Sequence, residues 1–158
     1  MKKVFLYVLA GLGVLLIAFF VLSGRGLVKL VAQNDAAVSA ATSTVSALAA
    51  AWNPTLVAGF ADEEFGESLK ENPSGVAQVF SIYAQKLGTL KRINNAQSAG
   101  SESLTTLGGS KTSTTVLMDL QLEKASAKAE VIMTSEDGGA WKLHSLVLTS
   151  DALKPEGY

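Results

Sequence analysis

Side chains able to do chemistry are scarce. His144 is the only histidine and cysteine is absent, which excludes disulfides, thiolate nucleophiles, cysteine-ligated zinc or clusters and multi-histidine metal sites. One imidazole base remains. His144 and Asp119 are the titratable candidates on predicted strands, but each alternates with a better core face, so both are expected to point outward rather than into an apolar pocket where burial would tune a pKa. A Ser-His-Asp arrangement has no support beyond the presence of those residue types. Gly108-Gly109-Ser110-Lys111 lacks the earlier glycine and the following helix of a phosphate cradle. Asp62, Glu63, Glu64, Glu67 and Glu71 are answered only by Lys70, and their spacing does not match a calcium loop with its central glycine. They read as a solvated helix face. No catalytic residue, metal or cofactor is assigned.

The elements that position these groups change period at Gly88. Before it the apolar spacing is helical. Leu27, Val31, Val38, Ala41, Val45, Leu48 and Trp52 follow one another at threes and fours, with Asn34 filling the gap, and no proline intervenes until Pro54. The stripe suits a coiled coil with Asn34 setting register, yet the flanking positions carry no charges to select a partner. Covering the domain's own sheet is the better expectation, with pairing between copies left open. Asn53-Pro54 ends the helix. A short amphipathic helix then spans Leu56 to Asn72, and Ser74 is expected to cap another in which Val76, Val79, Phe80, Tyr83 and Leu87 form the buried face.

After Gly88 the alternation is that of strands. Thr89 to Asn95 is a first strand, its end blurred by the Ser/Gly-rich run from Ala96 to Ser110. Thr114, Val116, Met118, Leu120 and Leu122 line one side of a second. Ala127, Ala129, Val131 and Met133 line a third, opposite Lys128, Glu130, Ile132 and Thr134. Glu136-Asp137-Gly138-Gly139 is a hairpin turn. In the last strand, Ala140 to Thr149, the expectation places Trp141, Leu143, Ser145 and Val147 inward and Lys142, His144, Leu146 and Leu148 outward. Residues 151–158 read as a loose tail.

The amino end has a different character. Val4 to Leu22 contains no charge and fourteen Val, Leu, Ile or Phe residues; as a helix it would cover roughly 28 Å, about the hydrocarbon thickness of a bilayer. A cleaved signal is the rival, but its apolar core usually runs about 7 to 15 residues, and Val21-Leu22-Ser23 is a poor cleavage site. We expect an uncleaved anchor over 1–24 and a stalk over 25–34, with Lys2 and Lys3 in the cytoplasm. One domain follows over 35–150. Setting Lys2 and Lys3 aside leaves eleven basic against fourteen acidic residues, so the electrostatic footprint of a nucleic-acid binder is missing.

Helices followed by antiparallel strands is an α+β order. Here the chain resembles small bacterial envelope domains of the nuclear-transport-factor-2-like, or cystatin-like, superfamily. The likeness rests on the helix ending at Trp52, the helix Val76 to Leu87 running into Gly88 and Leu90, and the closing hairpin and strand Glu136 to Leu143. It implies a cystatin-like roll, helices packed on a curved antiparallel sheet of about four strands. Such domains include enzymes, ligand pockets and membrane-tethered assembly subunits, so the resemblance does not choose among them. The expectation drawn is a single-pass protein of the bacterial inner membrane, in contact with lipid through Val4 to Leu22, whose outer domain is an accessory or scaffold module docking a protein partner. Ile132, Leu146 and Leu148 are the expected partner-binding residues. A homo-oligomer fits the same face. The alternative is a carrier of a small apolar ligand between helix and sheet, lined by Trp52, Phe80, Tyr83 and Met118; a small cone-fold enzyme comes third.

Overall fold

The computed structural model describes residues 30–154 and shows an α+β chain with four α-helices and one four-stranded antiparallel sheet. Val4 to Leu22 and the first half of the expected stalk, 25–29, lie outside the described residues. Among the described residues no helix is long and apolar enough to cross a membrane.

Helix α1 (Leu30–Ala49) is rich in alanine and free of proline and glycine, a composition that favours helix. Its buried face is Ala37, Ala41, Thr44, Val45, Leu48 and Ala49, with Trp52 sealed just beyond its end. Trp52 itself takes a left-handed backbone conformation, φ 47°, which a bulky side chain occupies at a cost of about 1–2 kcal/mol. Tertiary contacts hold it there: the indole N–H donates to the Gly88 carbonyl at 2.7 Å. Gly88 is in turn constrained, with φ 74° and room for no Cβ, since one would lie 2.8 Å from Glu123 Cβ.

The expected helix from Leu56 to Asn72 divides. A 3-10 turn (Pro54–Leu56) leads into α2 (Val57–Phe60), the chain extends at Ala61, and α3 (Glu63–Glu71) begins anew under an Asp62 cap. The break has a cause in the sheet: the Asp62 N–H donates to the Leu143 carbonyl at 2.8 Å, and Ala61 bridges Leu143 in parallel. Helix α4 (Pro73–Lys86) is capped by Asn72, whose side chain accepts from the Gly75 N–H, and not by Ser74. Pro73 enters at the first turn, where its missing N–H costs nothing.

The strands β1 (Leu90–Thr106), β2 (Gly109–Leu122), β3 (Ser126–Glu136) and β4 (Lys142–Thr149) form a meander in sequence order. β2 and β3 pair without a slip from Lys111↔Glu136 to Gln121↔Ser126, and their inward residues are those the alternation predicted. β1 runs through the Ser/Gly-rich segment that blurred its end. Pairing with β2 overrides the weak strand propensity there, helped by hydroxyl contacts between Ser101 and Thr114 and between Ser103 and Thr112.

β4 departs from expectation. Ile132 pairs with Ser145 but Met133 pairs with Leu143, so His144 is an extra residue, a β-bulge. One inserted residue reverses the facing of everything after it. Leu148 is therefore buried at 7% exposure and Leu146 packs on the core, while Val147 stands out at 51%. The inward assignment of Ser145 and Val147, and the outward one of Leu146 and Leu148, are thus inverted. The tail is also less loose than expected: Ser150 caps a 3-10 turn (Asp151–Leu153), and Ala152 and Leu153 pack on the core.

Candidate functional site

Two polar or mixed regions and one apolar cluster stand out. The apolar cluster contains the residues expected to line a ligand pocket. Trp52 and Phe80 meet edge to face with centroids 5.6 Å apart, and Trp52 and Tyr83 at 5.2 Å. At those spacings the rings are in contact and fill the gap between α1 and α4 with one another. Burial pushes the Tyr83 hydroxyl pKa up, partly offset by a backbone hydrogen bond at Leu148. Met118 lies in the core under the sheet with 2% exposure.

The first polar region is a node at Asp62. Its Oδ1 accepts the Phe65 N–H at 2.8 Å, the N-cap bond of α3. Its Oδ2 accepts the Thr134 hydroxyl at 2.9 Å and His144 Nδ1 at 2.8 Å. Lys111 approaches the same oxygen at 3.9 Å and Glu64 at 3.8 Å. Burial alone would raise the carboxyl pKa; the Phe65, His144 and Thr134 hydrogen bonds and the attraction of His144 outweigh it and hold the group below its ordinary 3.8. Because an ionised carboxylate only accepts, its bond requires a proton on His144 Nδ1. The bulge is what delivers His144 here. At this end of the sheet both faces are covered, Met133, Thr134 and Ser135 being buried in succession. The arrangement latches the start of α3 to β3 and β4.

Neither Asp62 nor Thr134 was singled out from the sequence as a partner of His144. In sequence Asp62 reads as the first of a run of acids, yet an Asp directly before a helical run is also a cap signal. Asp119, the other titratable candidate, is half-exposed and accepts from Asn95 Nδ2 at 2.8 Å. Among the described residues no three potential metal-ligating side chains converge.

The second region is the outer face of the sheet. Two adjoining depressions of ≈ 620 and ≈ 600 Å³ share Asp119, Lys128 and Thr149. The second is also lined by Leu117, Glu130 and Val147. Leu117 and Val147 are paired to the two sides of Glu130 and are 39% and 51% exposed. Half-buried Ile132 is two residues along β3, diagonal to both. The apolar group on this face is thus Leu117, Ile132 and Val147. Of the three expected partner-binding residues only Ile132 belongs to it. Comparisons with protein-family models, curated proteins and solved structures each give no match. The site therefore rests on its own geometry.

Proposed function

We propose that the chain is a membrane-anchored extracytoplasmic module of the bacterial inner membrane that docks a protein partner of the cell envelope, serving as an accessory or scaffold subunit. The membrane half of this reading rests on the uncharged run Val4 to Leu22. The fold half reads four helices followed by a four-stranded meander as a cystatin-like roll, with α1 laid across one face.

The observation that carries the docking half is the exposure of Leu117 and Val147 on either side of Glu130, with Ile132 between them, on a sheet face bearing an open groove. Exposed apolar side chains scattered singly mean little, but a cluster set around Glu130 and bordered by Asp119 and Lys128 offers a partner apolar area together with charges to pair. The aromatic cluster, by contrast, consumes its own space, and no observation favours the carrier.

Extraction tests both halves. The chain should stay with membranes through high-salt and alkaline washes, and mild detergent should release it with a stoichiometric companion identifiable by mass spectrometry. Release by salt would remove the anchor. Recovery of the chain alone would remove the docking role.

A further inference from the structure

The β1–β2 hairpin carries two leucines with nothing over them. Leu104 is 61% exposed and Leu107, in the two-residue turn Leu107–Gly108, is fully exposed. Neither belongs to the core or to the groove described above. From Ser103 to Ser110 the hairpin has no charged residue.

Its position gives these leucines a setting. Helix α1 runs antiparallel to β1, held to it near both ends: Trp52 donates to Gly88 just before β1, and at the other end Ser101 donates to Asn34. The amino end of α1 and the hairpin tip therefore project in the same direction. At about 3.3 Å per residue the tip reaches roughly 20 Å beyond Ser101. The chain from Asn34 back to Leu22 covers about 18 Å if helical and about 40 Å at full stretch. The tip is thus able to reach the level at which Val4 to Leu22 would enter the bilayer.

The hairpin is also held firmly enough to keep that direction. In the β3–β4 turn, Asp137 and Gly138 both have positive φ, 50° and 72°. That turn braces the hairpin just behind its tip: the Asp137 N–H donates to the Ser110 carbonyl at 2.7 Å, and Asp137 Oδ1 accepts the Ser110 N–H at 2.8 Å, which places this carboxylate at the headgroup side of the Leu107–Gly108 turn. Gly109, φ 138°, admits this close approach, since a Cβ there would lie 2.9 Å from Asp137 Oδ1.

We propose that the tip of this hairpin is a second membrane contact, placing Leu104 and Leu107 in the headgroup and upper acyl region of the bilayer that holds the amino-terminal segment. The proposal rests on the membrane-anchor reading. Depth is limited to the interface, because the outer edge of β1 is unpaired among the described residues and its backbone groups need water. An uncharged, leucine-bearing turn on a braced ribbon suits that depth, and it would fix the domain's tilt as well as its height.

The native chain has no cysteine, so a single Leu107→Cys substitution in the full chain accepts one environment-sensitive fluorophore at the tip. Lys124→Cys, in the β2–β3 turn at the opposite end of the sheet, is the reference. Each is reconstituted into phosphatidylcholine–phosphatidylglycerol vesicles and exposed to aqueous iodide or to lipid carrying an acyl-chain quencher. The expected result is blue-shifted emission at the tip, quenched by the lipid and shielded from iodide, with the reverse at residue 124. Equal iodide quenching at both sites, in chain that stays with the vesicles through an alkaline wash, overturns the tip contact and leaves the anchor standing. A tip shielded from iodide but untouched by the lipid quencher indicates contact with protein, such as a second copy, and also overturns it. Loss of the chain from the vesicles overturns anchor and tip together.

Discussion

The helices are fastened to the sheet at two places by different physics. At one end Trp52, Phe80 and Tyr83 lock α1 and α4 over the start of β1 by ring packing and a single buried indole bond. At the other, Asp62 ties α3 to β3 and β4 with an ionised carboxylate that satisfies three donors. Ring packing draws on the area removed from water and is indifferent to pH across the acid range. The carboxylate draws on charge and geometry and fails when it is protonated. A domain fastened both ways has one end that acid can loosen and one that it cannot.

The largest effect should come from the aromatic end. Trp52→Ala removes the ring from a sealed site and should cost about 3–5 kcal/mol in urea unfolding, by analogy with other buried aromatic truncations. The strained φ is not relieved, because alanine keeps the Cβ that makes it costly. The cost should be the same at pH 7 and pH 4, and a strong pH dependence would show that the two fastenings are coupled.

Asp62→Ala should cost somewhat less at neutral pH, about 2–4 kcal/mol, from the lost helix cap and the orphaned Thr134 and His144 donors. Its pH profile separates it from Trp52→Ala. Because the folded-state pKa of Asp62 lies below the ordinary 3.8, its ionised form contributes stability that is present above that value and fades as pH falls through the lowered pKa. The gap between native chain and Asp62→Asn should therefore shrink below about pH 4. A gap constant down to pH 2 would deny the carboxylate its role.

The smallest effect on stability belongs to the outer face. Val147→Ser should change stability by less than about 0.5 kcal/mol, because its side chain has little to lose on exposure. Leu148→Ser, one residue on, should cost at least about 2 kcal/mol, since it places a hydroxyl in the core and removes buried methyls. Equal costs at the two positions would contradict the bulge.

These contrasts also mark what could be read from the sequence. β2 and β3 were legible because their inner faces are apolar or small and their outer faces polar except at Leu117 and Ile132, with an unbroken register, so one phase fits best. β4 was not. Trp141 to Thr149 has apolar residues in both phases, and the residue that breaks the phase, His144, has no bulge signature; the bond from Asp62, eighty-two positions away in sequence, accompanies its placement. The long course of β1 was hidden for a related reason, since serine, asparagine and glycine form a strand here only because β2 supplies the partner. Asp62 was visible in kind, as an acid before a helical run, but its two sheet partners come from β3 and β4 and no local pattern announces them.

The proposed docking role assigns a protein partner to the outer sheet face centred on Leu117, Ile132 and Val147. The most direct measurement places a photo-crosslinking residue at Leu117, at Val147 and, as a reference, at Gln85 on α4, in the full chain within intact cells. One discrete higher-mass adduct is expected at Leu117 and Val147 and none at Gln85. No adduct at the two sheet positions, or the same adduct from all three, would contradict it.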